Sequence, residues 1–180
     1  MFVTIGICTF NRAESLRRTL DSLLAMRVPN DLAWEIVIVN NNCTDHTDDV
    51  ISKYVGPLPV RREFEPRAGK SNALNRAIDV AKGDYIWIDD DVLVDPGLLS
   101  AYAAAFRRWP EATVFGGRIK PKYKPLRRRN GCWKAKRSWE GHTQSAISAI
   151  TSCRFLPTTK TIFLTERIGH SRGRATGLSL

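Results

Sequence analysis

Residues 34–39, WEIVIV, are apolar at nearly every position. A strand without a polar face has to be covered on both sides, as the central strands of parallel sheets are. FVTIGIC (residues 2–8) and YIWI (residues 85–88) have the same character, and VRREF (residues 60–64) reads as a weaker strand. Helical patterns separate these runs. Leu16, Leu20, Leu23 and Leu24 fall at i, i+4, i+7 and i+8, one face of a helix, and Asn11 with Glu14 three residues on has the form of a capping box. From Lys70 a second helix carries Ala73, Leu74, Ala77, Ile78 and Ala81 on one side, and Gly83 suits its C-terminal stop. Pro96 opens a third pattern, GLLSAYAAAFRRW, and TVFGG closes the series. Strands alternating with helices predict an α/β fold with a mostly parallel sheet and right-handed crossovers.

The net charge of +10 conceals a boundary. Residues 1–117 hold 13 Lys and Arg against 16 Asp and Glu, a net of −3, whereas residues 118–180 hold 15 against 2, a net of +13. So abrupt a shift divides the chain into 1–117 and a basic tail, 118–180, expected to be poorly structured. The whole chain, 180 residues, is the size of one domain. Cys8, Cys43, Cys132 and Cys153 form no CxxC pair, which argues against a disulfide framework or a zinc site. No apolar run approaches membrane-spanning length, and MFVTIGICTFNR lacks the basic region of a signal peptide. The expected location is cytoplasmic.

In parallel sheets ligands bind beyond the carboxyl ends of the strands. Here those segments are TFNR, NNNCTDHT and DDDVLVDP, all polar. Asp89, Asp90 and Asp91 stand in a row behind an apolar strand, where adjacent carboxylates repel one another and lose hydration. If the chain stays extended, Asp89 and Asp91 share a face opposite Asp90, a spacing that suits Mg²⁺ or Mn²⁺ bridging protein to a diphosphate. A solvated acidic turn, with Asp95 and Pro96 starting the next helix, accounts for the spacing equally well. Arg67, Lys70 and Arg76 supply cations nearby. GKS (residues 69–71) is not a phosphate-binding P-loop, because Phe64 stands where its first Gly is required.

Four stretches, VTIGICTFNRAESLRRTLDSL, VIVNNNCTDHT, GKSNALNRAIDVAKGDYIWIDDDVLVDP and VFGGRI, resemble in order and spacing the nucleotide-sugar-binding half of family 2 glycosyltransferases, which have the GT-A fold. The resemblance covers residues 2–122. It implies a GT-A (Rossmann-like) three-layer α/β/α fold, C-terminally incomplete here, with residues 1–117 as the nucleotide-sugar-binding half. It implies that Thr9, Phe10, Asn11 and Arg12 lie against the nucleotide, that Asn40 and Asn41 belong to the base-reading loop, and that Lys70 and Asn72 flank the nucleotide. Asn40 stands where the family commonly has Asp, so UDP- and GDP-type donors both stay open. By the same resemblance Asp89 contacts ribose or metal, Asp91 the metal, and Asp90 belongs to the nucleotide site in a role left open. The implied reaction is sugar transfer from a nucleotide-diphosphate donor to an acceptor hydroxyl, with a divalent metal, a carboxylate base and inversion. The acceptor is a saccharide or a lipid-linked one, which brings the inner face of the membrane into consideration.

The family's acceptor site and base follow the GG strand, and this chain's continuation does not match them. Beyond residue 117 its only acids are Glu140 and Glu166. A nucleic-acid-binding tail is disfavoured because no such motif is recognisable; a membrane-surface tail and a disordered basic tail stay open. Codon arithmetic favours a one-base frameshift near Tyr123 and Lys124. Back-translated residues 157–168, read from the third base of the proline codon, permit Asp-Asp-Lys-Asp-Asp-Phe-Pro-Tyr-Gly-Ala-Asn, and residues 127–134 permit Pro-Pro-Glu-Trp-Leu-Leu-Glu. Both strings resemble what the family carries there. On this reading the chain is a glycosyltransferase impaired in its present form, with its catalytic residue unassigned. The alternatives are a non-catalytic nucleotide-sugar-binding or interaction domain and, less suited to the Gly-free first loop, a nucleotidyltransferase.

Overall fold

The computed structural model describes residues 1–117 and 161–164. Along the chain run β1 (Phe2–Thr9), α1 (Ala13–Leu24), β2 (Ala33–Asn40), α2 (Thr47–Tyr54), β3 (Val60–Phe64), α3 (Lys70–Val80), β4 (Asp84–Asp89), α4 (Leu98–Arg108), β5 (Val114–Gly116) and β6 (Thr161–Leu164). The strands form one sheet in the order β3-β2-β1-β4-β6-β5, with every neighbouring pair parallel. The α/β expectation is met. Four residues from beyond the 117/118 charge boundary enter the sheet as β6, between β4 and β5. The other residues of that segment lie outside the described residues, as do both stretches of the frameshift reading apart from 161–164.

Strand alternation sends side chains to two apolar layers. On one side Val3, Ile5, Ile7, Ile36, Ile38, Ile86 and Ile88 pack with Leu16, Leu20 and Leu23 of α1, Val50 and Ile51 of α2, and Leu99, Tyr102 and Phe106 of α4. On the other, Val37, Val39, Tyr85 and Trp87 meet Ala73, Leu74, Ala77 and Ile78 of α3. Each fully buried aliphatic side chain contributes roughly 1.5–3 kcal/mol relative to exposure. The two alanines let α3 approach closely over the large rings of Tyr85 and Trp87. Gly6 is required for the same reason: a Cβ there would lie 2.0 Å from Tyr85 Oη.

Several local expectations are corrected. Asn11 does not cap α1; it takes a left-handed φ of 51°, and the Ala13 N–H is met by Asp45 Oδ2 at 3.1 Å. Leu24, at the margin of the leucine stripe, is exposed. Helix α3 ends at Val80 because Ala81 turns extended. Gly83 serves not as its stop but as a close approach, since a Cβ there would sit 2.1 Å from the carbonyl O of Phe2. The chain also forms α2 inside what reads as a polar loop. Two turns are too few for periodicity to stand out, and two acids, Asp48 and Asp49, occupy its first turn, where they suit the helix dipole.

Gly6→Ala should destabilise the fold by about 1–3 kcal/mol through overpacking against Tyr85. Gly116→Ala, where a Cβ meets nothing within 4 Å, should change it by no more than about 0.5 kcal/mol. Urea melts of both variants check the pair.

Candidate active site

From β1 the chain builds β2 and β3 to one side, then returns to place β4 on the other side of β1. Loops leaving β1 and β4 therefore diverge, and the crevice between them is the usual ligand site of such sheets. The register aligns the strand ends along one edge: Thr9 lies beside Asn40, Asn40 beside Phe64, and Cys8 beside Asp89. The sequence-predicted residues from TFNR and DDD meet at this crevice.

Asp90, only 4% exposed, accepts the Thr9 hydroxyl at 2.8 Å and Arg12 Nη1 at 2.8 Å. The same Arg12 nitrogen donates to Asp91 at 3.0 Å. Lys70 Nζ donates to Asp89 Oδ1 at 2.8 Å and stands 4.6 Å from the centroid of the Trp87 ring. The strict two-face alternation thus stops at Asp89, where β4 ends: the following turn brings Asp91 round to share Arg12 with Asp90, while Asp89 goes with Lys70. Burial raises the Asp89 carboxyl above its ordinary range, against the pull of Lys70. Burial likewise raises Asp90, against Arg12 and the Thr9 hydrogen bond. Holding these carboxylates charged is unfavourable even with their counter-cations in place.

The amides of the NNN loop are bonded within the chain. Asn41, 5% exposed, donates Nδ2 to the carbonyls of Glu65 and Arg67 at 2.9 and 2.8 Å, and its Oδ1 accepts the Gly69 N–H at 2.9 Å. Two carbonyls on one end and an N–H on the other fix the amide's orientation and use both its donors. Asn40 donates to Asp48 and accepts the Cys43 N–H, each at 2.8 Å. Both amides therefore brace the loop, and Asn41 sets the start of α3 from which Lys70 reaches Asp89. Asn11 Oδ1 accepts the Thr44 N–H at 2.7 Å, tying the first loop to the second. Asn72 donates to the Ala68 carbonyl at 3.0 Å. Phe10 stands apart from these networks with its ring exposed.

Two carboxylates that sequence reasoning passed over hold this edge together. Asp45 accepts N–H groups from Ala13 and Thr47, both at 3.1 Å, so one side chain serves the first turns of α1 and α2. Burial raises its carboxyl, but the hydrogen bonds from Thr47 and Ala13 outweigh this and leave it below its ordinary value. Glu65 accepts Arg67 Nε at 2.8 Å and the Arg67 backbone N–H at 2.9 Å; these bonds pull it down to about 2. The signal for Asp45 lay in its place at the end of NNNCTD; Glu65 carried none. The His46 ring stands 3.3 Å from Glu14.

Among the described residues no group of three or more His, Cys, Asp or Glu is arranged to hold a metal ion. Asp89 and Asp91 nonetheless offer carboxylate oxygens at an edge open enough to leave Asp91 32% exposed in its side chain. An all-oxygen set of that kind fits a hard divalent ion that takes its other positions from phosphate and water.

The family model Glycosyl transferase family 2 matches residues 4–163. The chain belongs to that family, and the match runs past the charge boundary. Over 96 residues it is 40% identical to the chondroitin synthase of Pasteurella multocida (strain Pm70), covering 52% of this chain and 10% of that protein. Over 99 residues it is 30% identical to the poly-beta-1,6-N-acetyl-D-glucosamine synthase of Staphylococcus aureus (strain COL), covering 52% of this chain and 22% of that protein. The chain thus spans a small part of these relatives' length. S. aureus TarS 1–349 in complex with UDP matches the fold with a TM-score of 0.60 at 22% identity, covering 68% of this chain and 38% of that one. The mannosyltransferase PcManGT from Pyrobaculum calidifontis, in complex with GDP-Man and Mn²⁺, gives 0.56 at 27% identity, covering 66% and 35%. The fold is that of GT-A glycosyltransferases.

The Glu65–Arg67 pair sets a sign for acid behaviour. Because the folded pKa, about 2, lies below the ordinary 4.5, its stabilisation is complete above about pH 4.5 and is lost as pH falls toward 2. An NMR titration of the Glu65 carboxyl should show that depressed midpoint, and Arg67→Ala should return it toward 4.5.

Proposed function

We propose that the β1/β4 crevice binds a nucleoside-diphosphate sugar with Mg²⁺ or Mn²⁺, and that the reaction of this site is transfer of the sugar to an acceptor hydroxyl with inversion. The observation that carries this reading is the meeting of Thr9 and Arg12 with Asp90 and Asp91, and of Lys70 with Asp89, at the switch point. Asp89 and Asp91 are the residues that would hold the ion, which when bound neutralises charge developing on the departing diphosphate. Arg12 and Lys70 add positive charge for the same oxygens. The exposed Phe10 ring offers a stacking face to a base. Asn40 and Asn41 serve this site by bracing its loops, so base recognition falls to groups that line the crevice rather than to their amides.

The bound ligands of the two structural neighbours, UDP in one and GDP-Man with Mn²⁺ in the other, support a nucleotide-sugar donor and leave the nucleotide open between the UDP and GDP types. The synthases among the relatives support a saccharide acceptor, and a lipid-linked one stays open. The reaction needs a carboxylate that takes the acceptor's proton as the hydroxyl attacks the anomeric carbon. Asp45, Asp48, Glu65, Asp89, Asp90 and Asp91, the acids of this edge, each hold a cation or a hydrogen-bond donor already. That commitment favours donor binding with impaired transfer, and it also supports the second reading, a non-catalytic nucleotide-sugar-binding domain. No described helix is long and apolar enough to cross a membrane; a cytoplasmic site of action, at the membrane's inner face for a lipid-linked acceptor, belongs to this proposal.

Titration calorimetry with UDP and GDP, with and without Mn²⁺, tests the reading. Binding of one nucleotide should depend on the metal, and Asp91→Asn should weaken the metal-dependent part by about tenfold or more. Slow hydrolysis of the matching nucleotide sugar, lost in Asp91→Asn, would favour the enzyme over the binding domain. Absence of binding by either nucleotide with Mn²⁺ would overturn the site.

A further inference from the structure

The three aspartates of the crevice are served by two cations of the chain itself, and the way those cations sit has a consequence for ligand binding. We propose that Arg12 and Lys70 are placeholder cations: they neutralise the carboxylates until a divalent ion and a nucleoside diphosphate arrive together, then transfer to the diphosphate oxygens. The proposal rests on reading the crevice as a metal–nucleoside-diphosphate site and specifies how its two ligands depend on each other.

The geometry separates a fixed carboxylate from two exchangeable ones. Asp90, with its side chain 6% exposed, is held by the Thr9 hydroxyl as well as by Arg12, so its part is to anchor Arg12 at the mouth of the crevice. Asp91 has only Arg12 and Asp89 only Lys70 among the ion pairs of the described residues. The Arg12 and Lys70 side chains are 53% and 38% exposed, with room to swing toward solvent or toward a ligand. The Lys70 ammonium also stands 4.6 Å from the centroid of the Trp87 ring, a second attraction that keeps it beside the site.

Two positive charges against three negative leave the unliganded site only one charge short of neutral. A divalent cation arriving alone has to displace Lys70 from Asp89 and Arg12 from Asp91, and leaves both facing a new positive charge. Like charges at such distances in a partly buried site repel strongly. A diphosphate arriving alone meets three carboxylates. When the two come together, the metal takes Asp89 and Asp91 while the diphosphate takes Arg12 and Lys70, and every charge keeps a partner. Each ligand therefore tightens the other by the same factor, as linkage requires.

The full chain is titrated with Mn²⁺ alone, with UDP or GDP alone, and with both, following free Mn²⁺ by electron paramagnetic resonance. In the unmodified protein the nucleotide should tighten Mn²⁺ by about tenfold or more. Lys70→Met keeps an unbranched side chain of similar length and removes the charge: it should tighten Mn²⁺ alone by about fivefold and bring the coupling factor toward one. Lys70→Arg should preserve the coupling, and Arg12→Gln should repeat the Lys70→Met result through Asp91, covering the case in which one variant does not fold. Mn²⁺ binding alone that is unchanged or weaker in both charge-removing variants, with ternary binding intact, would overturn the placeholder role and leave the site standing. Failure of Mn²⁺ and both nucleotides to bind the unmodified protein in any combination would overturn the site reading, and the inference with it.

Discussion

Asp90 is a buried carboxylate tied to the end of the neighbouring strand through the Thr9 hydroxyl. This contact closes the bottom of the crevice where the strand order reverses, and the rest of the edge is arranged around it. It brings Arg12 over the turn after β4, which in turn gathers Asp91. On the other side of the sheet Lys70 reaches Asp89 from the first turn of α3, and the start of α3 is set by Asn41 through Gly69. Three strand ends and one helix start are thereby fixed to one another by side chains whose polar atoms are nearly all used.

Such a site is unfavourable for the fold and useful for binding. Burial pushes Asp89 and Asp90 toward the neutral form, so the folded state pays to keep them ionised at neutral pH. The stability comes from elsewhere: two apolar layers on a sheet whose central strands β1, β2 and β4 are almost wholly buried, and a fringe of ion pairs such as Glu63 with Arg61 and Arg76. Local strain follows the same division. Among the described residues, the non-glycine residues with positive φ, Asn11 and Asn42, both lie in the loops that border the crevice, where backbone departures from the favoured regions recur in binding sites.

The fold was largely legible in the sequence because its information is periodic. WEIVIV and YIWI announce strands covered on both faces, and the Leu and Ala spacings announce α1 and α3. What escaped was non-local or short. Asp45 caps helices from a loop 32 residues away from Ala13, and no local pattern shows that Asn11 is thereby released from capping. Gly83 sits where a helix-stop glycine is expected, yet its lack of a side chain answers to the Phe2 carbonyl of another strand. The site residues were legible as residue types at strand ends. Their partners were not, because side chains as polar as Asn40 and Asn41 can as readily turn inward to carbonyls as outward to a ligand, and only the tertiary arrangement of residues 65–69 decides.

The commitment of the edge's carboxylates also bears on how the work of transfer is divided along the chain. A carboxylate that serves as general base needs a lone pair facing the acceptor and a proton affinity not held down by bound cations. Glu65, drawn down to about 2 by Arg67, and Asp48, held below its ordinary value first by Arg62, are the opposite kind of group. Asp45 is saturated by helix N–H groups, and the aspartates at 89–91 face cations. What residues 1–117 assemble is therefore suited to holding a polyanionic donor and its leaving group rather than to accepting a proton. β6 is where sequence from beyond that boundary joins the fold: it pairs in parallel beside β4, with Leu164 level with Ile88.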